Sequence, residues 1–240
     1  MSSIEEAIRA IHEARPRRVA IMTGAGVSAD SGVPTFRGPG GLWRNFRPEE
    51  LATPEAFRRD PALVWEWYEW RRGLIREAKP NAAHEAIARL PGAVVVTQNV
   101  DGLHARAGSA DVVELHGNIF RVRCVREGNP RLHVEPFAEL PPRCACGALL
   151  RPDVVWFGEA LPNDAVERAA YAIRGADLLL VIGTSGVVYP AAGFVTLHEG
   201  LSIEINPEAS GVSSACTYAI AMRAAEAMPR LAEALLEVHA

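Results

Sequence analysis

The stretch from Thr23 to Gly38 reads T-G-A-G-V-S-A-D-S-G-V-P-T-F-R-G. It follows the apolar run Val19-Ala20-Ile21-Met22, so a buried strand leads directly into a turn built from Gly24, Ala25 and Gly26. Such a turn suits phosphate: glycine lets backbone approach a pyrophosphate and take up positive φ, and the start of the following helix offers free N–H groups at the positive end of a dipole. The dinucleotide fingerprint is incomplete, because no third glycine stands three residues on and no acid closes a strand about 20 residues later. Taken alone, the motif is equally compatible with a plain tight turn. Beyond Ser28 and Asp30, Pro34 disfavours the helical state at Val33 and removes a donor, so no helix runs through Val33-Pro34-Thr35-Phe36-Arg37. That segment is expected to form a flap over a nucleotide.

Working outward, residues 4 to 15 carry Ile4, Ala7, Ile8 and Ile11 at helical spacing. Residues 48 to 90 are helical in pattern, interrupted at Pro54, Pro61 and Pro80. Short apolar strands are expected at 93 to 97, 112 to 115, 177 to 182, 201 to 205 and 218 to 222, before a closing helix over 225 to 238. Strands alternating with helices imply a doubly wound α/β fold, a parallel Rossmann-like sheet covered on both faces. Residues 1–33, 80–118 and 153–240 are assigned to that sheet domain, with 34–79 and 119–152 as insertions forming a smaller domain of helices and a cysteine module. In such sheets ligands bind beyond the carboxyl ends of the strands. The polar clusters Gln98-Asn99-Val100-Asp101, His116-Gly117-Asn118, Gly183-Thr184-Ser185 and Asn206-Pro207-Glu208 all follow strands.

The 240 residues, 49% hydrophobic and 22% charged, allow one sizeable core and an appendage. A net charge of -4 argues against a general nucleic-acid binder. The first residues are acidic where a secretory signal is basic, and no apolar run reaches membrane-spanning length, so a cytoplasmic protein without membrane association is expected. Lys79 is the sole lysine among 25 basic residues. Three of the four cysteines, Cys124, Cys144 and Cys146, cluster around a short excursion and read as metal binding before disulfides.

Each polar cluster has a bland reading. Asn99 and Asp101 suit an Asx turn capping a helix, and a lone histidine such as His116 is commonly structural, although imidazole titrates near working pH and suits a general base. In Val64-Trp65-Glu66-Trp67-Tyr68-Glu69-Trp70-Arg71, Tyr68 and Arg71 stand three apart on one helical face. A phenol and a guanidinium facing a cleft together form a carboxylate receptor; the alternative is aromatic core packing with a solvated arginine.

The motifs G-A-G-x-S, S-G-V-P-x-F-R, T-Q-N-x-D-x-L-H, L-H-G and G-T-S … N, at 24–28, 31–37, 97–104, 115–117 and 183–206, resemble those of the sirtuins, NAD-dependent protein-lysine deacylases. The resemblance covers residues 15 to 230. It implies NAD contacts from Gly24, Ala25, Gly26, Ser28, Asp30, Phe36, Arg37, Gln98, Asn99, Asp101, Gly183, Thr184, Ser185, Asn206, Glu208 and the adenine-facing position Ala224. It implies catalysis by His116 with Asn99, and nicotinamide carboxamide recognition by Asp101. The acyl-lysine oxygen would attack C1′ of the nicotinamide ribose, and His116 would then activate a ribose hydroxyl, leaving free lysine, nicotinamide and O-acyl-ADP-ribose. Y-x-x-R at Tyr68 and Arg71, and V-V-W-F-G-E at 154–159, resemble the sirtuin class that removes succinyl and malonyl groups. Deacetylation is expected to be weaker, and Val155, Phe157 and Gly158 are expected to pair with acylated lysine peptides by strand addition.

The same resemblance implies a structural zinc, usually held by two C-x-x-C pairs. Here Glu127 stands in a cysteine position and the second pair is C-x-C. Cys124, Glu127, Cys144 and Cys146 are the expected ligands, with His133 as an alternative fourth. Two other functions stay open: a mono-ADP-ribosyltransferase on the same NAD site, and a non-catalytic NAD-binding sensor.

Overall fold

A computed structural model describes residues 2–35, 47–187 and 191–239. The flap positions Phe36 and Arg37 lie outside the described residues. In chain order the elements are α1 (Ile4–Ala14), β1 (Val19–Thr23), α2 (Pro48–Leu51), α3 (Pro54–Arg59), α4 (Pro61–Glu77), α5 (Ala82–Ala88), β2 (Val94–Thr97), α6 (Leu103–Ala107), β3 (Asp111–Glu114), β4 (Gly117–Cys124), β5 (Pro130–Leu132), β6 (Leu150–Val154), α7 (Asn163–Gly175), β7 (Leu178–Ile182), β8 (Leu201–Ile205), β9 (Tyr218–Ile220) and α8 (Ala224–Glu237). After β1 the chain enters a 3-10 helix, Ala25–Ser31. The helix start expected after the glycine turn thus takes 3-10 form, and the Asp30-Ser31-Gly32 run, ending in left-handed Gly32, keeps it short.

Among the described residues, six strands form a wholly parallel sheet in the order β3-β2-β1-β7-β8-β9. Order reverses between β1 and β7, which makes their carboxyl ends the crevice of the sheet. Every residue of β1 and β7 is buried. Alternate side chains serve opposite faces: Ile21 joins α1, α5 and α8 in one cluster, while Ala20 and Met22 join α7, Phe194 and Val195 in another.

The helical insertion resolves into α2, α3 and α4. Pro54 and Pro61 start helices rather than merely interrupting one, each at the first turn behind a side-chain cap from Thr53 or Asp60. Strands in the second insertion were not foreseen. β4 pairs antiparallel with both β5 and β6 in a second sheet, joined from Gly117↔Val154 to Cys124↔Leu150. Its buried residues and those of α2 to α4 share a third cluster around Trp65, Ile119 and Trp156. The fully buried Arg72 ties the two together, donating to the carbonyls of Ile119 (2.9 Å) and Glu135 (2.9 Å) while pairing with Glu69 at 2.9 Å.

Candidate active site

The register pairs Thr23 with both Thr97 and Ile182, so the turns at Gly24, Gln98 and Gly183 stand side by side. Two of these turns interlock through backbone. Gly24 N–H donates to the Ile182 carbonyl and Gly26 N–H to that of Gly183. A Cβ at Gly26 would lie 2.7 Å from Gly183 Cα, and one at Gly183, whose φ is 61°, only 2.4 Å from Val27 N. Glycine is required here for chain-to-chain contact as well as for whatever the turn binds.

Above these turns lies a cavity of about 760 Å³, within the usual size range of ligand sites. Gly24, Ala25 and Gly26 line it with Gln98, Asn99 and His116, and it runs from Asn206, Glu208 and Ser210 at one end to Tyr68, Arg71 and Trp156 at the other. Side-chain hydrogen bonds connect three strand ends: Gln98 Nε2 donates to Thr184 Oγ1 (3.0 Å), and Asn206 Nδ2 donates to the Thr184 carbonyl (2.9 Å). Gly183, Thr184 and Ser185 also line the cavity.

Beneath it is a buried polar network. Asn99 Nδ2 donates to Ser28 Oγ (3.1 Å), Ser28 Oγ donates to Asp101 Oδ2 (2.8 Å), and Asp101 Oδ1 accepts the Leu103 N–H (2.9 Å). Asp101 therefore caps α6 whatever else it does. Burial raises its carboxyl pKa, opposed by those two hydrogen bonds and by the charge of Arg71. His84 and His104 pack behind this network, ring centroids 4.8 Å apart and tilted by 57°, with His104 Nε2 at 3.0 Å from Thr23 Oγ1. Burial lowers His84 to about 4 and His104 to about 3.

His116 is half-buried on the cavity wall. Its Nδ1 lies 2.9 Å from the Gln98 carbonyl. A carbonyl only accepts, so Nδ1 carries the proton and Nε2 is the basic atom. Burial lowers its pKa, with the Gln98 contact opposing. The turn is held by Gly117, at φ 79°, where a Cβ would fall 2.2 Å from the Asp153 carbonyl, and by the Val155 N–H donating to the His116 carbonyl at 2.9 Å.

At the far end Tyr68 and Arg71 are both buried, 2% and 4% exposed, and both line the cavity. Arg71 lies over the Trp67 ring at 4.8 Å and is held below the usual arginine range by burial, with Tyr68 and Asp101 pulling the other way. Burial raises the Tyr68 phenol. Trp65, Trp67 and Tyr68 all belong to the core of the smaller domain, and Trp67, Tyr68 and Arg71 also line the cavity.

Val155, Phe157 and Gly158 line the cavity too. The N–H of Val155 goes to His116, that of Trp156 to Glu159 and that of Phe157 to Ala52. The Trp156 and Val154 carbonyls are engaged as well, by the Glu159 N–H and by Arg151. Four residues expected to contact the nucleotide, Ser28, Asp30, Asp101 and Ala224, are not on the lining of this cavity, the first and third lying in the network beneath it. Asp30 pairs with Arg223 at 2.6 Å, and Ala224 is buried in the core at the start of α8. Trp156 and Glu159, quoted in the 154–159 motif but given no role of their own, line the cavity, as does the Ala209-Ser210-Gly211 turn, which was not singled out; a loop after a strand carries no periodic signal that would mark it.

At the other end of β4 from His116, Cys124, Glu127, Cys144 and Cys146 bring four ligand atoms within 4.8 Å of one another. Cys124 Sγ is 3.5 Å from Cys146 Sγ, and Cys144 Sγ is 3.7 Å from Glu127 Oε2. Tetrahedral zinc with bonds of roughly 2.0–2.3 Å places ligand atoms roughly 3.3–3.8 Å apart, so these two pairs already stand at zinc spacing and the cluster is compatible with that ion. His133 is not in this group; it stacks on Phe137 at 4.0 Å.

The Sir2 family pattern matches residues 24–190. The chain is 55% identical over 228 residues to NAD-dependent protein deacylase 2 of Pyrobaculum aerophilum, covering 92% of each. It is 51% identical over 230 residues to the NAD-dependent protein deacylase of Aquifex aeolicus, covering 92% of this chain and 96% of that one. A crystal structure of a Sir2 homologue in complex with NAD superposes with a TM-score of 0.90 at 43% identity, covering 98% of this chain and 95% of the other.

Proposed function

The chain belongs to the Sir2 family, and from that premise we propose that it is an NAD-dependent protein-lysine deacylase favouring succinyl and malonyl groups over acetyl. The observation that carries the acidic preference is the joint burial of Tyr68 and Arg71 on the wall of the one cavity that also holds His116. A desolvated guanidinium with a neutral phenol beside it matches a carboxylate terminus, a charge that an acetyl methyl does not offer.

The residues present fit NAD: adjacent glycine turns, the amides of Gln98, Asn99 and Asn206, and a cavity long enough to run from the strand ends to α4. When bound, NAD supplies the ribosyl carbon and the leaving nicotinamide. Asn99, oriented by Ser28, presents its amide at the cavity floor, and Asp101 holds Ser28 in place. His116, neutral and protonated on Nδ1, offers Nε2 to take a proton from a hydroxyl in the cavity. The buried walls keep water from that exchange. Cys124, Glu127, Cys144 and Cys146 would hold zinc in the smaller sheet, where the ion supports folding rather than the reaction. Thiolate ligation suits a reducing, cytoplasmic compartment; no helix among the described residues is long and apolar enough to cross a membrane.

Incubation of the protein with NAD and matched acetyl-, malonyl- and succinyl-lysine peptides tests this directly. Release of free lysine peptide, fastest from the acidic acyl groups, is expected. Label from NAD accumulating on protein without free lysine would instead identify a transferase.

A further inference from the structure

We propose that Trp156 is a positioning residue that presets the Tyr68 hydroxyl as a donor toward the acyl end of the cavity. This rests on the acidic-acyl reading and adds to it a residue that decides selectivity without being part of the Y-x-x-R pair. Trp156 Nε1 lies 2.9 Å from the Tyr68 oxygen. An indole N–H can only donate, so the phenol oxygen must accept. A phenolic proton prefers the plane of its ring, which gives it two orientations; the indole occupies one side, and the proton is turned to the other. Accepting one hydrogen bond also makes the hydroxyl a stronger donor in its next.

Trp156 is itself held from three directions. The Arg151 guanidinium lies 3.4 Å from its ring centroid, and Phe57 packs against it at 5.3 Å. Glu159 accepts the Trp156 backbone N–H (2.9 Å) and engages Arg151 through both carboxylate oxygens, at 2.6 and 2.8 Å. The indole is 3% exposed. The Tyr68 donor is thereby ordered before any ligand arrives, which lowers the entropic cost of receiving a carboxylate.

The test is a double-mutant cycle on Trp156→Phe and Tyr68→Phe, read as the ratio of kcat/KM for succinyl-lysine over acetyl-lysine peptide. Trp156→Phe is expected to lower that ratio about tenfold when Tyr68 is present, and to leave it unmoved when Tyr68 is already Phe. A ratio that falls equally in both backgrounds, or does not fall at all, overturns the proposal, because the tryptophan would then act otherwise than through the hydroxyl. Arg71→Met run in parallel separates the two readings. If it collapses the ratio while Trp156→Phe does not, only the positioning role fails; a wild-type protein with no acidic preference removes both. A readout independent of turnover is the indole N–H spectrum of the protein, which holds five tryptophans. Tyr68→Phe should displace one of those signals, and a spectrum without any displaced signal overturns the contact even if Trp156→Phe fails to fold.

Discussion

Replacing Arg71 with Met removes one charge from the wall of the cavity and keeps most of the side-chain volume. The guanidinium is 4% exposed and 4.8 Å from the Trp67 ring, so a substrate carboxylate meeting it does so largely out of water. Truncating one partner of such a pair costs about 2–5 kcal/mol. At about 1.4 kcal/mol per factor of ten, the loss in kcat/KM for a succinyl peptide is roughly thirty- to several-thousand-fold. Arg71 also opposes the burial-driven rise of the Asp101 pKa, so its removal disturbs the floor of the cavity for every acyl group. The ratio of desuccinylation to deacetylation is therefore the observable, measured by separating product peptides at matched NAD concentration. Equal loss of both activities in a well-folded variant would refute the carboxylate-receptor argument.

Gly183→Ala should lower the urea midpoint by several kcal/mol equivalent, because its Cβ meets Val27 N at 2.4 Å; Gly92→Ala, at φ 69° with open space around it, should cost only about 1–2 kcal/mol, and equal effects would count against the interlocked turns. Acidification should destabilise the fold through His84 and His104: their folded pKa values, about 4 and about 3, lie below the ordinary 6.5, so the unfolded chain binds more protons and stability falls as pH drops below about 6.5, flattening below about 3. Each contributes up to about 1.4 kcal/mol per pH unit, partly offset by Asp101, whose raised pKa has the opposite sign; substituting both histidines with apolar residues should flatten a pH series of melting temperatures. Purified protein should carry zinc by atomic emission, and Glu127→Ala should surrender it to a chelator faster than wild type, with a lower melting temperature on metal loss, whereas Glu127→Cys should retain it; a chelated protein that melts unchanged would rule out a structural ion.

The doubly wound sheet was legible because buried parallel strands are apolar throughout and their polar ends follow at once: Val19–Thr23 before Gly24, Leu178–Ile182 before Gly183. The second sheet was not: β4 alternates over Phe120-Arg121-Val122-Arg123-Cys124, but β5 has three exposed residues and the pairing of β4 with β6 spans the whole excursion from Cys124 to Leu150. Motif identity placed Gln98, Asn99, His116 and the Gly183 turn in a common list, yet a motif says nothing of partners. That Asp101 spends one oxygen on capping α6, that Asp30 turns to Arg223 and that Ala224 enters the core are consequences of packing.

What the chain's order of residues determined by itself is the family, the parallel sheet and the strand ends where ligands gather, because these depend on local periodicity and on short contiguous motifs. What tertiary structure alone decided is which donors face the same space. Tyr68 on α4 and Trp156 after β6 are 88 residues apart, and their 2.9 Å hydrogen bond exists only once the smaller sheet has closed against the helices of the insertion.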